Sequence, residues 1–267
     1  MLKEEILKIV RRKQFFVVFT IFFVMAILDF LVTCKNYYGI ELSWIRSAYA
    51  CGILNNEVPC FSKQFFTTLF PIMVCIGVSD VYYEEEILGM NSFIHTRVRK
   101  KENVRIKIIS LLIVTFFMVF IPLMINFILT LTAFPIQGYY CSNTVYVTLV
   151  NPEKERILSY LEMFYPYLNI FVHILIRCIL GCSLALVAFS ISLLNRFNRY
   201  IVVFSGMLFY FLYVCFTEMP FATNTVINTN IMAINGYGSI WMIVVFVILC
   251  IGISNIFIYI GKKKETY

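Results

Sequence analysis

The sequence predicts an all-α polytopic membrane protein with six transmembrane helices, an N-terminal amphipathic interfacial helix and a helical cytoplasmic connection between spans two and three. Three observations predict it. The 267 residues are 61% hydrophobic and only 14% charged, too little charge to cover a soluble domain of this length. Six apolar runs have about the 20 residues that a bilayer core of about 30 Å requires. Lys and Arg gather in alternate connections. Because lipid offers no hydrogen bonds, each run must be a helix or a barrel strand, and continuous rather than alternating hydrophobicity excludes the barrel.

The chain is read as a single transmembrane domain, 1–267. Leu2, Ile6, Ile9 and Val10 recur at helical spacing among Lys3, Lys8, Arg11 and Arg12, as in a helix lying on the inner membrane surface. A plain basic flank to the first span fits the same residues. The spans are expected at 14–33, 64–83, 108–133, 167–194, 200–217 and 239–260. Of 22 basic residues, 16 fall on one side: the N-terminus, the 81–107 segment, Arg196 with Arg199, and Lys262–Lys264. The positive-inside rule makes that side cytoplasmic and places both termini there. The net charge of +7 is accounted for by this topology and by attraction to anionic membrane lipid, with no nucleic-acid partner.

Inside the third span, Pro122 removes a helix hydrogen bond, and Asn126 lies one turn beyond. The pair marks either a static kink or a gating point. Arg177 lies in the fourth run with His173 one turn away, at a depth from which it is expected to snorkel to the outer boundary. Asp29 and Glu218 are likewise expected near outer span ends, and Asp80 near an inner one.

Several chemistries are missing. The sequence has no G-x-x-x-x-G-K-[ST], no H-E-x-x-H and no C-x-x-C among its nine cysteines. No catalytic residue, metal ligand or cofactor is therefore assigned to this chain, and it is not read as an enzyme. Glu84-Glu85-Glu86 resembles the Glu-Glu motif of intramembrane proteases of the CAAX-processing type. However, Gly89 or Met90 stands where that motif carries Arg, and no second His follows His173 on a later span. Cys51 and Cys60, flanking Asn55-Asn56 and Pro59, are the most plausible outer disulfide.

The segment VYYEEEILGMNSFIHTRVRKKENVRIK, 81–107, is much longer than a connection needs to be. Ten of its residues from Glu84 to Lys107 are charged, acids first and bases after. Helix, turn and surface helix are expected, with Asn91-Ser92 at the turn. The segment resembles the first cytoplasmic loop of the type-2 ABC transporter permease family: a Glu-rich stretch, a Gly, apolar residues, a basic cluster, and a Lys opening the third span. Glu86 and Gly89 match the acid and the glycine, Arg99 or Lys100 the basic position, and Lys107 the final Lys. His95-Thr96 stands where the family usually has Pro. The six-span layout with inner termini is also similar to that family over essentially the whole chain.

The resemblance implies a bacterial cytoplasmic-membrane half-transporter that pairs with a second permease half, identical or paralogous. It implies a separate ABC ATPase subunit carrying ATP and Mg. Docking on that subunit is implied for Glu84, Glu85, Glu86, Gly89, Arg97, Arg99, Lys100, Lys101 and Lys107. The 17% aromatic content and the few central charges favour an amphipathic or apolar cargo, such as a peptide antibiotic or lipid-like compound, and the compact length and short loops resemble those of permeases for peptide antibiotics and their immunity systems. A non-transporting scaffold or sensor and an intramembrane enzyme are the alternatives.

Overall fold

The computed structural model describes residues 2–41, 44–54, 65–87, 89, 100–136, 158, 161, 164–194, 198–218 and 240–264. All regular structure among them is helical. Helix α1 (Leu2–Val10) leads through an extended Arg12 into α2 (Lys13–Asn36). A four-residue helix α3 (Ala48–Cys51) follows. A π-helical turn, Phe65–Leu69, runs into α4 (Phe70–Val78), and then come α5 (Val81–Ile87) and α6 (Lys100–Ala133). The last three helices are α7 (Pro166–Ser192), α8 (Arg199–Glu218) and α9 (Ile240–Lys264).

Four helices are long and apolar enough to cross a membrane: α2, α6, α7 and α9. The chain is thus a multi-pass membrane protein by helix length and composition. The other two expected spans take different forms. The apolar part of α8, Arg199–Cys215, is shorter. The 64–83 run does not form one helix. Pro71 sits in the first turn of α4 and lacks the N–H that a continuing helix would use. The wider π-helical turn lies just before it. A second break falls at Ser79-Asp80, where the Ser79 hydroxyl and backbone N–H both donate to the Cys75 carbonyl.

Helix α7 is the centre of the bundle. Of its most apolar window 61% is buried, against 28% in α2 and α9, because α6, α8, α9 and α4 all pack on it. Lipid is as apolar as a leucine side chain, so close packing and hydrogen bonds hold such a bundle together rather than water exclusion. Gly206 shows how tight this packing is. A Cβ there would stand 2.4 Å from Cys75 Sγ and 3.3 Å from the Leu184 carbonyl, so α8 reaches α4 and α7 only through a bare glycine. Around α2, Phe22 stacks on Phe66 with centroids 5.4 Å apart and tilts on Phe70 at 6.0 Å, which fastens the broken 65–78 element to the first long helix.

The segment after α3 enters the bundle as non-helical backbone. Its Ile53 and Leu54 are buried, as are Ala48 to Cys51 of α3 before it. Backbone of this kind is tolerated at such a position only where protein satisfies it. Asn126 does so: its Oδ1 accepts from the Ile53 N–H at 3.0 Å, and its Nδ2 donates to the Ala26 carbonyl at 2.8 Å. The helix α6 continues through Pro122, and the Asn126 side chain serves the Ile53 segment and α2 rather than its own helix.

Candidate functional site

At the Lys- and Arg-rich end of the bundle, charged side chains form two adjoining sets of ion pairs, one on Asp80 and Glu84 and one on Glu85. Asp80 lies between α4 and α5, and Glu84 and Glu85 lie on the first turns of α5, an element too short to bury them by itself. Asp80 accepts from Arg12 at 2.9 Å and from Arg199 at 2.6 Å on its other oxygen. Glu84 pairs with Arg12 at 2.5 Å and with Arg199 at 2.8 Å, and it accepts from Gln14 at 3.2 Å. Glu85 pairs with Lys8 on one oxygen and Lys107 on the other. The Lys107 ammonium also lies 4.9 Å over the Tyr82 ring. Four bases from α1, the α1–α2 junction, α6 and α8 thus converge on three acids of one short stretch.

Burial makes this network more than surface decoration. Asp80, Glu85 and Lys107 are each no more than 2% exposed. A buried ion must be paired and hydrogen-bonded on every side, and removal of one partner strands the other at about 3–5 kcal/mol. Glu5 of α1 stands beside this group. Burial first, and then the negative charge of Glu85, push its carboxyl above the usual glutamate range, while Lys8 and Lys107 pull it down.

The network takes up part of the sequence-predicted docking set and leaves the rest elsewhere. Glu84, Glu85 and Lys107 are brought together and spent on internal pairs. Glu86 is half-buried, whereas Ile87 and Gly89 are exposed at the end of α5. Gly89 has φ +67°, a left-handed conformation that other residues adopt only with strain, and its N–H closes a turn on the Glu86 carbonyl at 3.0 Å. Lys100 and Lys101 open α6. Arg97 and Arg99, with the predicted turn at Asn91-Ser92, lie outside the described residues. The sequence reading missed Lys8, Arg12, Asp80 and Arg199 as partners. The available signal was Asp80 itself, an acid inside an apolar run with no base within a helical turn.

A second polar region lies in the other half of the bundle. Asn169, His173 and Arg177 follow one another at i, i+4 and i+8 on α7 and so share one face. They are 0%, 4% and 3% exposed. This corrects the snorkelling expected of Arg177: it sits near the middle of α7 and points into protein. Asp29, in the last third of α2, is buried as well, 3.5 Å from Asn126 Nδ2. Asn169 Nδ2 lies 3.4 Å from the Tyr49 hydroxyl. The next strip of α7, Ile170 and Ile174, closes a cavity of about 10 Å³ with Gly52, Ile53, Leu54, Leu123, Asn126 and Phe127, room for a single water. Cys51 is a buried free thiol, its Sγ 3.8 Å from the Arg46 carbonyl; Cys60, its expected bridge partner, lies outside the described residues. Among the described residues no group of His, Cys, Asp and Glu is arranged to hold a metal ion.

Set against known protein families, curated proteins and solved structures, the chain matches no family model, no curated protein and no solved structure.

Proposed function

We propose that the chain is the membrane-spanning permease of an ATP-driven transporter, working as one of two halves over a separate ATPase subunit. The observation that supports this is the division of labour along the 81–107 segment. Its acids at 84 and 85 and its final Lys107 are fastened inside the protein, while Ile87 and Gly89 remain exposed next to them. A force applied at Gly89 and the basic cluster beyond it would pass through short ion pairs into α1, α6 and α8 at once. Asp80 and Glu84 join the first helices to α8 through Arg199, so the network bridges the early and late halves of the bundle.

In this reading six spans cross the cytoplasmic membrane, with the 64–83 run and α8 as the fifth and sixth members of the set. The basic end faces the cytoplasm, and α1 lies along the inner leaflet with Leu7 and Val10 toward lipid. ATP binding and hydrolysis belong to the partner. The docking contacts narrow to Glu86, Gly89, Arg97, Arg99, Lys100 and Lys101, and Glu84, Glu85 and Lys107 become the mounting that transmits the push.

The test is retention of a nucleotide-binding partner by the tagged chain purified from its native membrane. Deletion of residues 93–101, or Glu86→Lys, is expected to abolish co-purifying ATP hydrolysis while membrane insertion persists. Undiminished co-purification of the ATPase with the deletion variant would refute the docking role.

A further inference from the structure

We propose that the face of α7 carrying Asn169, His173 and Arg177, with Tyr49 of α3 and Tyr210 of α8, is a binding site for the anionic oxygen group of an amphipathic molecule, a carboxylate or a phosphate monoester on an apolar chain. The first support is incompleteness. His173 Nε2 and Asn169 Oδ1 are buried without a hydrogen-bond partner among the described residues. Each such atom costs about 1–3 kcal/mol if left bare. Folded proteins seldom carry two on one helix face without something to fill them.

The second support is the sign of the lining. Arg177 carries a permanent positive charge in the bundle interior, within electrostatic reach of His173 and Tyr210. A guanidinium has five N–H donors, so it keeps the interaction it already has and still offers donors to a bound oxygen. The Asn169 amide can be turned over without changing its shape. The Tyr49 hydroxyl then donates to Oδ1, and Nδ2 faces the site. His173 Nε2–H and Arg177, joined by Asn169 Nδ2 when its amide is turned over, make a row of donors along one strip of helix. Such a row suits an acceptor-only group, as an ionised carboxylate or phosphate is.

The third support is what surrounds the row. Ile170 and Ile174 flank it on α7, and Phe246 packs edge-on against Tyr210 at 6.3 Å. A bare hydrated ion would forfeit its water among such neighbours, whereas the chain of an amphiphile fits them. The adjoining cavity, lined by α6, α7 and the segment after α3, holds only about one water, so an amphiphile's chain is admitted only as the helices around the row part. If the chain is a permease, this is where cargo is gripped. The binding itself does not rest on transport, because it needs no ATPase.

The experiment uses the full chain in nanodiscs of zwitterionic lipid, titrated by calorimetry with dodecanoate, dodecyl phosphate, dodecanol and inorganic phosphate. The expected result is saturable binding of the two anionic amphiphiles, with dodecanol at least about tenfold weaker. Arg177→Gln should weaken dodecanoate about tenfold or more, and Arg177→Lys by less. His173→Leu, which leaves the charge in place, should weaken it by a smaller factor and serves if Arg177→Gln does not fold. Equal binding of dodecanol and dodecanoate would overturn the anion assignment. Displacement of dodecanoate by inorganic phosphate at similar concentration would overturn the amphiphile assignment. No saturable binding of any probe would overturn the site and leave the two polar atoms to water.

Discussion

The two polar regions of this bundle are built on opposite plans. At the basic end Asp80, Glu84 and Glu85 each meet two bases, so these three charges are matched, although Glu5 Oε2 beside them has no hydrogen-bond partner among the described residues. On the inner face of α7, His173 Nε2 and Asn169 Oδ1 lack partners among the described residues. A matched buried network fixes the relative position of the elements that share it. An unmatched one raises the energy of the empty protein and lowers it again when a complement arrives. The contrast assigns holding to the first region and receiving to the second.

The largest test of that contrast is Lys107→Met. It leaves Glu85 buried with a single, more exposed partner, and should cost about 3–5 kcal/mol. Glu85→Leu combined with Lys107→Met should recover most of that loss, since a matched apolar pair restores neutrality. Reversible unfolding in mixed detergent micelles would measure both, and equal loss in the single and double variants would contradict the pairing. Next in size is Asn126→Leu, which deprives the buried Ile53 N–H of its acceptor and should cost about 1–3 kcal/mol. Gly89→Ala comes after it. The positive φ at this turn should cost about 1–2 kcal/mol and leave the bundle otherwise intact.

The receiving region should respond with the opposite sign. His173→Leu removes an unsatisfied buried atom, so the ligand-free protein should keep its stability or gain up to about 1 kcal/mol. A loss as large as that of Lys107→Met would show His173 to be part of a matched network after all. The smallest effect is at Glu5. Its carboxyl titrates higher in the native protein than in the unfolded chain. The stability it contributes is therefore fully present below the unfolded value and lost as pH rises through the native one, a window above the ordinary glutamate range. Glu5→Gln should flatten that part of the stability–pH curve and raise stability slightly at neutral pH.

Much of the fold can be read from hydropathy, because a run of 20 apolar residues has one structural outcome in lipid. The helices α2, α6, α7 and α9 follow from this directly. The 64–83 run is different: its hydropathy is uniform, but Pro71 and Ser79-Asp80 divide the backbone, and an averaging window does not register a missing N–H. The acidic triplet is conspicuous in the sequence, yet its nearest partner is 22 residues away and only packing selects such partners. Arg12 and Arg199 look like ordinary positive-inside anchors, and nothing local distinguishes a base that meets lipid from one that meets Asp80. Arg177 was misread for a related reason. Depth along a helix follows from counting residues, but the side of the helix that faces protein depends on the neighbours, and α7 is surrounded by them.

The transport reading rests most directly on what touches the exposed end of α5. A photo-crosslinking residue at Ile87, 67% exposed beside Gly89, should be compared with one at Leu31, 54% exposed on α2, both in the native membrane. The expected result is that Ile87 crosslinks to a polypeptide bearing a P-loop ATPase sequence while Leu31 crosslinks to lipid. Crosslinking of both positions to lipid alone would contradict it.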